Sequence, residues 1–345
     1  MTIQTEKKEI TDFSIGDLED WFESGNMKSF RAGQVMRWIF LRGATSFDEM
    51  TDLAKDVRAL LSETFTITRP AVADILKADD GTRKYLFCLS DGNKIESVLI
   101  PEKDHYTLCI SSQIGCAMGC RFCMTATMGL IRNLTPGEIL GQVLAIRDET
   151  PQDMRLSNIV FMGMGEPLAN INAVISAMDV MTDGNRGLKL SRRKITVSTC
   201  GLVPMMERLG KTSKVGLAVS LNATDNATRD MLMPVNQKYP IEQLMDACAR
   251  YPLAPRDKIT IEYILIKGVN DSEKDAVRLA GLLAPISAKV NLIPFNAHKG
   301  SDFKRPDRKI IDRFQSILVE RNYTAIIRWS KGADIGAACG QLAGA

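Results

Sequence analysis

From Tyr106 onward, the sequence alternates short apolar runs with amphipathic segments, and this alternation constrains the fold more than any other feature. The apolar runs are typical of buried parallel strands, and the segments between them have helical spacing. Six such repeats predict an α/β fold with right-handed crossovers. Periodicity leaves open whether the sheet is open or curled into a partial barrel. The strand-like runs are TLCISS, SNIVFMG, KITVSTC, VGLAVSLN, ITIEYILI and KVNLIPF.

The two ends of the chain differ from this core. Residues 1–66 have apolar residues at helical spacing, as in FRAGQVMRWIFLRG, and predict a small all-helical accessory domain. Residues 67–104 predict a short β linker region, with an Asp-Gly-Asn turn between two β-rich runs. The core then covers residues 105–330, including a last strand-like run, TAIIRW. Residues 331–345 form a small, glycine-rich tail.

Composition places the chain among ordinary globular proteins, with 45% hydrophobic and 25% charged residues. No run approaches the roughly 18 apolar residues of a membrane span, and the polar start MTIQTEKKEI is not a signal peptide. We therefore expect a cytoplasmic protein with no membrane partner and, without heptads, a monomer. The net charge of +3 neither demands nor excludes nucleic acid. The basic runs at 192–194 and 299–309 are more often solvated faces than binding sites.

The strongest chemical motif is a group of three closely spaced cysteines, Cys116, Cys120 and Cys123. Thiolates at this spacing can bind one side of a cubane iron–sulfur cluster from a single loop. Gly115 and Gly119 allow the backbone to turn tightly around it. The fourth iron would have no protein ligand and would be open to a small molecule.

Two other interpretations of these cysteines compete with the cluster. A structural zinc site would need Cys109 as fourth ligand, but the six residues between Cys109 and Cys116 exceed the usual zinc spacing of about two to four. Buried, unligated cysteines hardly account for three within eight residues. A cluster is therefore favoured, at the carboxyl edge of the predicted sheet.

The CxxxCxxC spacing, with Phe122 before the last cysteine, resembles the radical S-adenosylmethionine (radical SAM) superfamily. The resemblance implies a partial (β/α)6 barrel, a [4Fe–4S] cluster, and S-adenosylmethionine (AdoMet) bound to its open iron. It also implies that AdoMet is cleaved to a 5′-deoxyadenosyl radical, with an electron donor such as flavodoxin or ferredoxin.

Further polar or flexible residues follow successive strands of the predicted core. The sequence Met-Gly-Met-Gly-Glu-Pro resembles the superfamily's Gly-Glu-Pro element, which implies a contact with the methionyl amine of AdoMet. Each remaining residue alone is more often a cap or turn residue, but together they match the family's ribose and carboxylate contacts. The implied AdoMet-binding residues are Gly165, Glu166, Ser198, Ser220, Leu221, Asn222 and Asn296.

The glycine-rich tail, GADIGAACGQL, resembles the signature of the RlmN/Cfr family of RNA adenine methyltransferases. Without the resemblance, Cys339 would be a small apolar residue in a packed tail. With it, Cys339 is the implied methyl acceptor in a ping-pong mechanism that uses two AdoMet molecules per turnover. Cys109 is the implied partner of Cys339 in a transient disulfide, and Glu96 the implied proton acceptor.

The resemblance also implies RNA substrates: an adenine of 23S ribosomal RNA and an adenine next to the tRNA anticodon. Carbon 2 of adenine is the expected target, and a Cfr-type enzyme acting at carbon 8 is the alternative. A non-catalytic iron–sulfur or zinc RNA-binding module is a third, disfavoured possibility. We expect the helical domain to contact the RNA backbone through Lys28, Arg31, Arg37 and Arg42.

Overall fold

The computed structural model describes residues 7–149, 155–298 and 300–344, so the start of the polar N-terminal segment and Lys299 lie outside it. The N-terminal elements are β1 (Lys8–Glu9), α1 (Ile15–Ser24), α2 (Phe30–Met36), α3 (Lys55–Thr64) and β2 (Phe65–Thr66). These elements are mainly helical, as predicted, and α2 continues into a π-helical turn at Arg37–Leu41. The parallel pairing of β1 with β2 joins the two ends of this unit.

The segment that follows forms three antiparallel strands, β3 (Ala71–Lys77), β4 (Arg83–Cys88) and β5 (Lys94–Pro101). The turn predicted from Asp-Gly-Asn lies between β4 and β5. The last of these strands pairs antiparallel with the first strand of the core. The segment described from sequence as a linker is therefore part of the main sheet.

The core is a ten-stranded sheet whose strands follow the order β14-β13-β12-β11-β10-β9-β6-β5-β4-β3. The core and loop strands are β6 (His105–Cys109), β7 (Gln113–Gly115), β8 (Leu130–Asn133), β9 (Arg155–Phe161), β10 (Ile195–Thr199), β11 (Gly216–Ser220), β12 (Ile259–Leu265), β13 (Ala288–Pro294) and β14 (Ala325–Ile327). All six predicted strands are present and parallel, and TAIIRW supplies a seventh. Strands β7 and β8 form a separate antiparallel pair.

Helices connect successive parallel strands, as the alternation predicted. They are α4 (Met124–Thr127), α5 (Pro136–Glu149), α6 (Ile171–Thr182), α7 (Val203–Thr212), α8 (Asn226–Leu232), α9 (Ile241–Arg250), α10 (Glu273–Leu283) and α11 (Arg308–Glu320). Strand residues such as Val197, Val219 and Ile261 are fully buried beneath these helices. The carboxyl ends of the strands meet at one edge, where α/β folds bind ligands. Within the described ranges, no helix is long and apolar enough to cross a membrane.

Candidate active site

A cleft with about 810 Å³ of empty space opens at the carboxyl ends of the parallel strands. Its walls come from the loop after β7, the turn after β9, the ends of the central strands and the C-terminal tail. Residues that are far apart in sequence therefore share one site, as the resemblance implied. The cleft is lined by eight of the predicted site residues: Cys116, Cys120, Cys123, Gly165, Glu166, Ser198, Ser220 and Cys339.

The loop of three cysteines is fixed at both ends by backbone contacts. Gly115 has φ +73°, and a Cβ atom there would lie 1.8 Å from the carbonyl oxygen of Gly129, so no other residue fits without a shift. The Cys116 amide donates to that same carbonyl at 2.8 Å. Further along, the Arg121 amide donates to the Leu232 carbonyl at the end of α8 at 3.0 Å. The loop conformation is therefore set by β7, β8 and α8 together.

The donor set of this loop, three cysteine thiols that line one cleft, fits an iron–sulfur cluster. Among the described residues, no three cysteine, histidine or acidic side chains form a group that could hold one ion. The thiolates around a cubane bind different irons, so they need not converge on one point. Burial raises the pKa of the Cys116 thiol to about 11, so metal binding must displace a proton.

The Gly-Glu-Pro turn is built tightly against the strand pair that carries the cysteine loop. Gly165 has φ +97°, and a Cβ atom there would lie 2.5 Å from the Gln113 side chain. The buried Glu166 carboxylate accepts from the Leu168 amide at 3.0 Å and from the Cys200 amide at 2.8 Å. Burial raises the pKa of Glu166 above its usual value, and these hydrogen bonds offset only part of that rise. Carboxylate oxygens have further lone pairs, so Glu166 can also accept from an ammonium group in the cleft.

The two predicted serines converge on a carboxylate that the sequence reasoning missed. The Ser198 hydroxyl donates to Glu262 Oε2 at 2.7 Å, and the Ser220 hydroxyl donates to the same oxygen at 3.3 Å. Glu262 is only 8% exposed and lines the cleft. Its Oε1 has no hydrogen-bond partner among the described residues. Because Glu262 lines the cleft, its Oε1 can accept a hydrogen bond from a ligand hydroxyl or amine.

Two other predicted residues, Asn222 and Leu221, lie behind the residues that line the cleft. Asn222 is fully buried with φ +57°, and its Oδ1 accepts from the Ile264 amide at 2.8 Å. Its Nδ2 donates to the sulfur of Met233, which does line the cleft. Leu221 is also fully buried. Neither residue lies among the residues that line the cleft, so a direct contact of either with AdoMet stays a prediction.

A fully buried arginine, Arg229 on α8, holds the ends of β10 and β11. Its guanidinium donates to the carbonyls of Cys200 at 2.7 Å, Leu221 at 3.0 Å and Ser220 at 3.3 Å. It also donates to Asn236 Oδ1 at 3.0 Å. No local pattern in the sequence indicates this role, because a single arginine in a short helix is normally exposed.

The C-terminal tail brings Cys339 into the cleft beside the cysteine loop. The predicted residue Asn296 donates from its side chain to the Cys339 carbonyl at 3.1 Å, and so contacts the tail. Cys339 is exposed and lines the cleft. Desolvation by the nearby protein, and then the charge of Glu262, raise the pKa of its thiol to about 11. The Cys109 thiol is buried, and its pKa is raised first by burial and then by Cys339. All eight cysteines are free, so no disulfide joins these two.

Glu96 lies outside this cleft, in a second cavity beneath the tail. It is 1% exposed and forms an ion pair with Lys84 at 2.9 Å. Met124, His298 and Gln341 also line this cavity. Glu96, the implied proton acceptor, therefore lies against residues of the tail and not in the cleft that holds the cysteine loop.

Comparisons with known proteins agree with this site. Residues 8–67 match the family model "Ribosomal RNA large subunit methyltransferase N-terminal domain", and residues 110–280 match that of the radical SAM superfamily. The dual-specificity RNA methyltransferase RlmN of Desulfosudis oleivorans is 59% identical over 97% of this chain and 91% of its own length. That of Geobacter sulfurreducens is 54% identical over 97% of this chain and 92% of its own. The crystal structure of a radical SAM methyltransferase from Sphaerobacter thermophilus superposes with a TM-score of 0.92, at 41% identity, covering 98% of this chain and 100% of that one.

The fold and the cysteine-lined cleft define a radical SAM enzyme, which confirms the predicted fold class. The identity with curated relatives over nearly the whole length goes further than the fold. The chain belongs to the family of the dual-specificity RNA methyltransferase RlmN.

Proposed function

We propose that this enzyme methylates carbon 2 of an adenine in 23S ribosomal RNA and of an adenine next to the tRNA anticodon, in the cytoplasm. The observation that carries the proposal is the position of Cys339, which lines the same cleft as the three-cysteine loop. A methyl-accepting thiol and a radical-generating centre must share one site if the methyl group is to pass between them. The "dual-specificity" in the names of its relatives supports two RNA substrates.

The proposed cofactors are a [4Fe–4S] cluster and two AdoMet molecules per turnover. Cys116, Cys120 and Cys123 would hold the cluster, with a flavodoxin or ferredoxin as electron donor. When bound, the cluster and AdoMet supply one-electron chemistry at a carbon that ordinary methyl transfer does not reach. The predicted contacts would hold AdoMet, and we add Glu262 Oε1 as acceptor for one of its hydroxyl groups. A carboxylate on a ribose hydroxyl is a common arrangement in nucleotide sites.

Cys339 would accept the first methyl group by nucleophilic displacement. The thiol loses its proton, its sulfur bonds to the methyl carbon, and the carbon–sulfonium bond breaks to release S-adenosylhomocysteine. Because burial raises the pKa of Cys339 to about 11, this step needs a nearby proton acceptor or positive charge. After the methyl carbon has joined adenine, the adduct would lose one electron to an electron acceptor and its carbon-2 proton to Glu96, and Cys109 would attack the Cys339 sulfur. The carbon–sulfur bond then breaks with its electron pair on carbon, that carbon takes up a proton to become the methyl group, and an external thiol reduces the resulting disulfide.

The helical unit, proposed to span residues 1–66, is the proposed RNA-binding domain. Lys28, Arg37 and Arg42 are exposed there, and the Arg42 guanidinium lies 4.0 Å from the centre of the Trp38 ring. Exposed cations next to an aromatic ring suit a phosphate backbone with unpaired bases. Binding through these residues would weaken steeply as salt increases.

The testing experiment is anaerobic incubation of the reconstituted enzyme with AdoMet, reductant and unmethylated ribosomal or transfer RNA. Nucleoside mass spectrometry then compares the product with 2-methyladenosine and 8-methyladenosine. We expect 2-methyladenosine from both RNAs and none from Cys339→Ala. The 8-methyl product would move the enzyme to the Cfr type. AdoMet cleavage without methyladenosine would refute the proposed substrates while leaving the radical enzyme.

A further inference from the structure

The tail around Cys339 is bound to the core through its backbone at several successive residues. The Met124 amide donates to the Gly340 carbonyl at 2.8 Å, and the Thr125 hydroxyl donates to the Leu342 carbonyl at 2.7 Å. The Asn296 side chain holds the carbonyl of Cys339 itself. These bonds do not depend on the side chains of the small tail residues. The position of Cys339 therefore depends on the groups in the core that bind the tail backbone.

Glu96 supplies the last of these contacts through its side-chain carboxylate. Its Oε2 accepts from the Ala343 amide at 2.7 Å and from the Gly344 amide at 3.2 Å. Its Oε1 accepts from Lys84 Nζ at 2.9 Å, and the same ammonium lies 3.5 Å from the Gly336 carbonyl oxygen. Hydrogen bonds to a buried charge are stronger than those between neutral groups. The pair thus fastens the tail on both sides of Cys339.

We propose that Glu96, held by Lys84, is a positioning residue that docks the C-terminal tail and so places Cys339 in the cleft. This inference rests on the proposed role of Cys339 as methyl acceptor. The proposal also implies that Glu96 docks the tail first and accepts a proton from RNA only later. Glu96 is 1% exposed, and its two oxygens face Lys84 and the tail amides. An RNA adenine therefore reaches the carboxylate, to give up its proton, only after the tail residues 343–344 have left it, which separates the two half-reactions in time.

The first test measures tail docking without any cofactor, by hydrogen exchange of the full-length apo protein. Glu96→Ala removes both acceptor oxygens, and we expect the amides of Ala343 and Gly344 to exchange at least about tenfold faster. Glu207→Ala, at an exposed carboxylate that pairs with Arg250, is the matched control and should leave tail exchange unchanged. Unchanged exchange in Glu96→Ala would overturn the proposal.

The second test separates docking from proton acceptance through the two half-reactions of the reconstituted enzyme. Methylation of Cys339 by AdoMet, measured by peptide mass spectrometry without RNA, needs a placed thiol but no proton transfer from RNA. We expect Glu96→Ala to slow it at least about tenfold. Glu96→Gln keeps a hydrogen-bond acceptor but loses the basic carboxylate. It also loses the ion pair with Lys84, so we expect it to slow Cys339 methylation, but less than Glu96→Ala does because one oxygen can still face the tail amides, and to lose methyladenosine formation.

The outcomes distinguish the inference from the proposed function beneath it. Normal Cys339 methylation in Glu96→Ala, with only methyladenosine lost, would make Glu96 a proton acceptor alone and refute the docking role. No methyl group on Cys339 in the wild-type enzyme would refute the proposed function, while hydrogen exchange would still decide docking. If Glu96→Ala does not fold, Lys84→Met replaces it. We expect faster exchange at the tail there too, because Glu96 loses its ion pair, and unchanged exchange refutes the proposal.

Discussion

Replacing Arg229 with methionine tests whether the strand ends at the site depend on one buried cation. Four acceptors lose their donor: the carbonyls of Cys200, Ser220 and Leu221, and Asn236 Oδ1. Each buried acceptor left without a donor lowers the free energy of unfolding by about 1–3 kcal/mol. The methionine side chain partly offsets this loss, because no charged guanidinium then has to be buried on folding. We therefore expect a net loss of about 3 kcal/mol in the free energy of unfolding, short of the simple sum.

The assay is urea denaturation of the apo protein followed by circular dichroism, with hydrogen exchange to locate the change. We expect exchange to increase first at the carboxyl ends of β10 and β11, because those carbonyls lose their common donor. Arg250→Met is the control: Arg250 is exposed and its ion pairs lie at the surface, so the loss should be below about 0.5 kcal/mol. A loss below about 1 kcal/mol in Arg229→Met, or exchange that rises elsewhere, would refute the argument.

Other substitutions test the site one group at a time. Cys339→Ala should abolish methyladenosine in the mass-spectrometric assay yet leave the melting temperature within about 1 °C, because Cys339 is exposed toward the cleft. Glu262→Gln should weaken AdoMet binding about tenfold in calorimetry of the reconstituted enzyme, and unchanged affinity would exclude a contact with Oε1. Cys116→Ser should lower bound iron, measured by elemental analysis, whereas Cys248→Ser, at a buried cysteine outside the cleft, should not. Gly115→Ala should cost at least about 2 kcal/mol in urea denaturation, from its positive φ and the overlap with Gly129, and a smaller loss would show that β8 shifts to accommodate the methyl group.

The parallel core was predictable because its strands are largely apolar runs separated by segments with helical spacing. Each predicted run, such as KITVSTC or VGLAVSLN, overlaps an observed strand. The edge of the sheet was harder to predict. Strands β3 to β5 were recognised as β-structure, but the alternation of side chains does not tell which neighbour a strand pairs with. Their attachment to β6 is a tertiary contact with no local signature.

The site was predictable where chemistry demands a fixed spacing in sequence, as in the three cysteines and the Gly-Glu-Pro turn. It was less predictable where a residue acts through another residue. Glu262 interrupts the otherwise apolar run ITIEYILI, and a carboxylate at a buried strand position was a signal that could have been used. The contact of Asn222 with AdoMet stays a prediction; its buried hydrogen bonds to the Ile264 amide and to Met233 are tertiary contacts that no local pattern in the sequence records.

The tail and the cysteine loop are joined by direct hydrogen bonds, so the order of each depends on the other. The Met124 amide, one residue after the last predicted cluster ligand, donates to the carbonyl of Gly340, one residue after Cys339. Arg305, an exposed residue of the basic run 299–309, also donates to the Phe295 carbonyl and to Asn296, which holds Cys339. Any change that disorders the loop thus removes a tail contact, and tail release removes a loop contact. Because such coupling is reciprocal, binding a cluster should favour the docked tail by as much as docking favours the cluster.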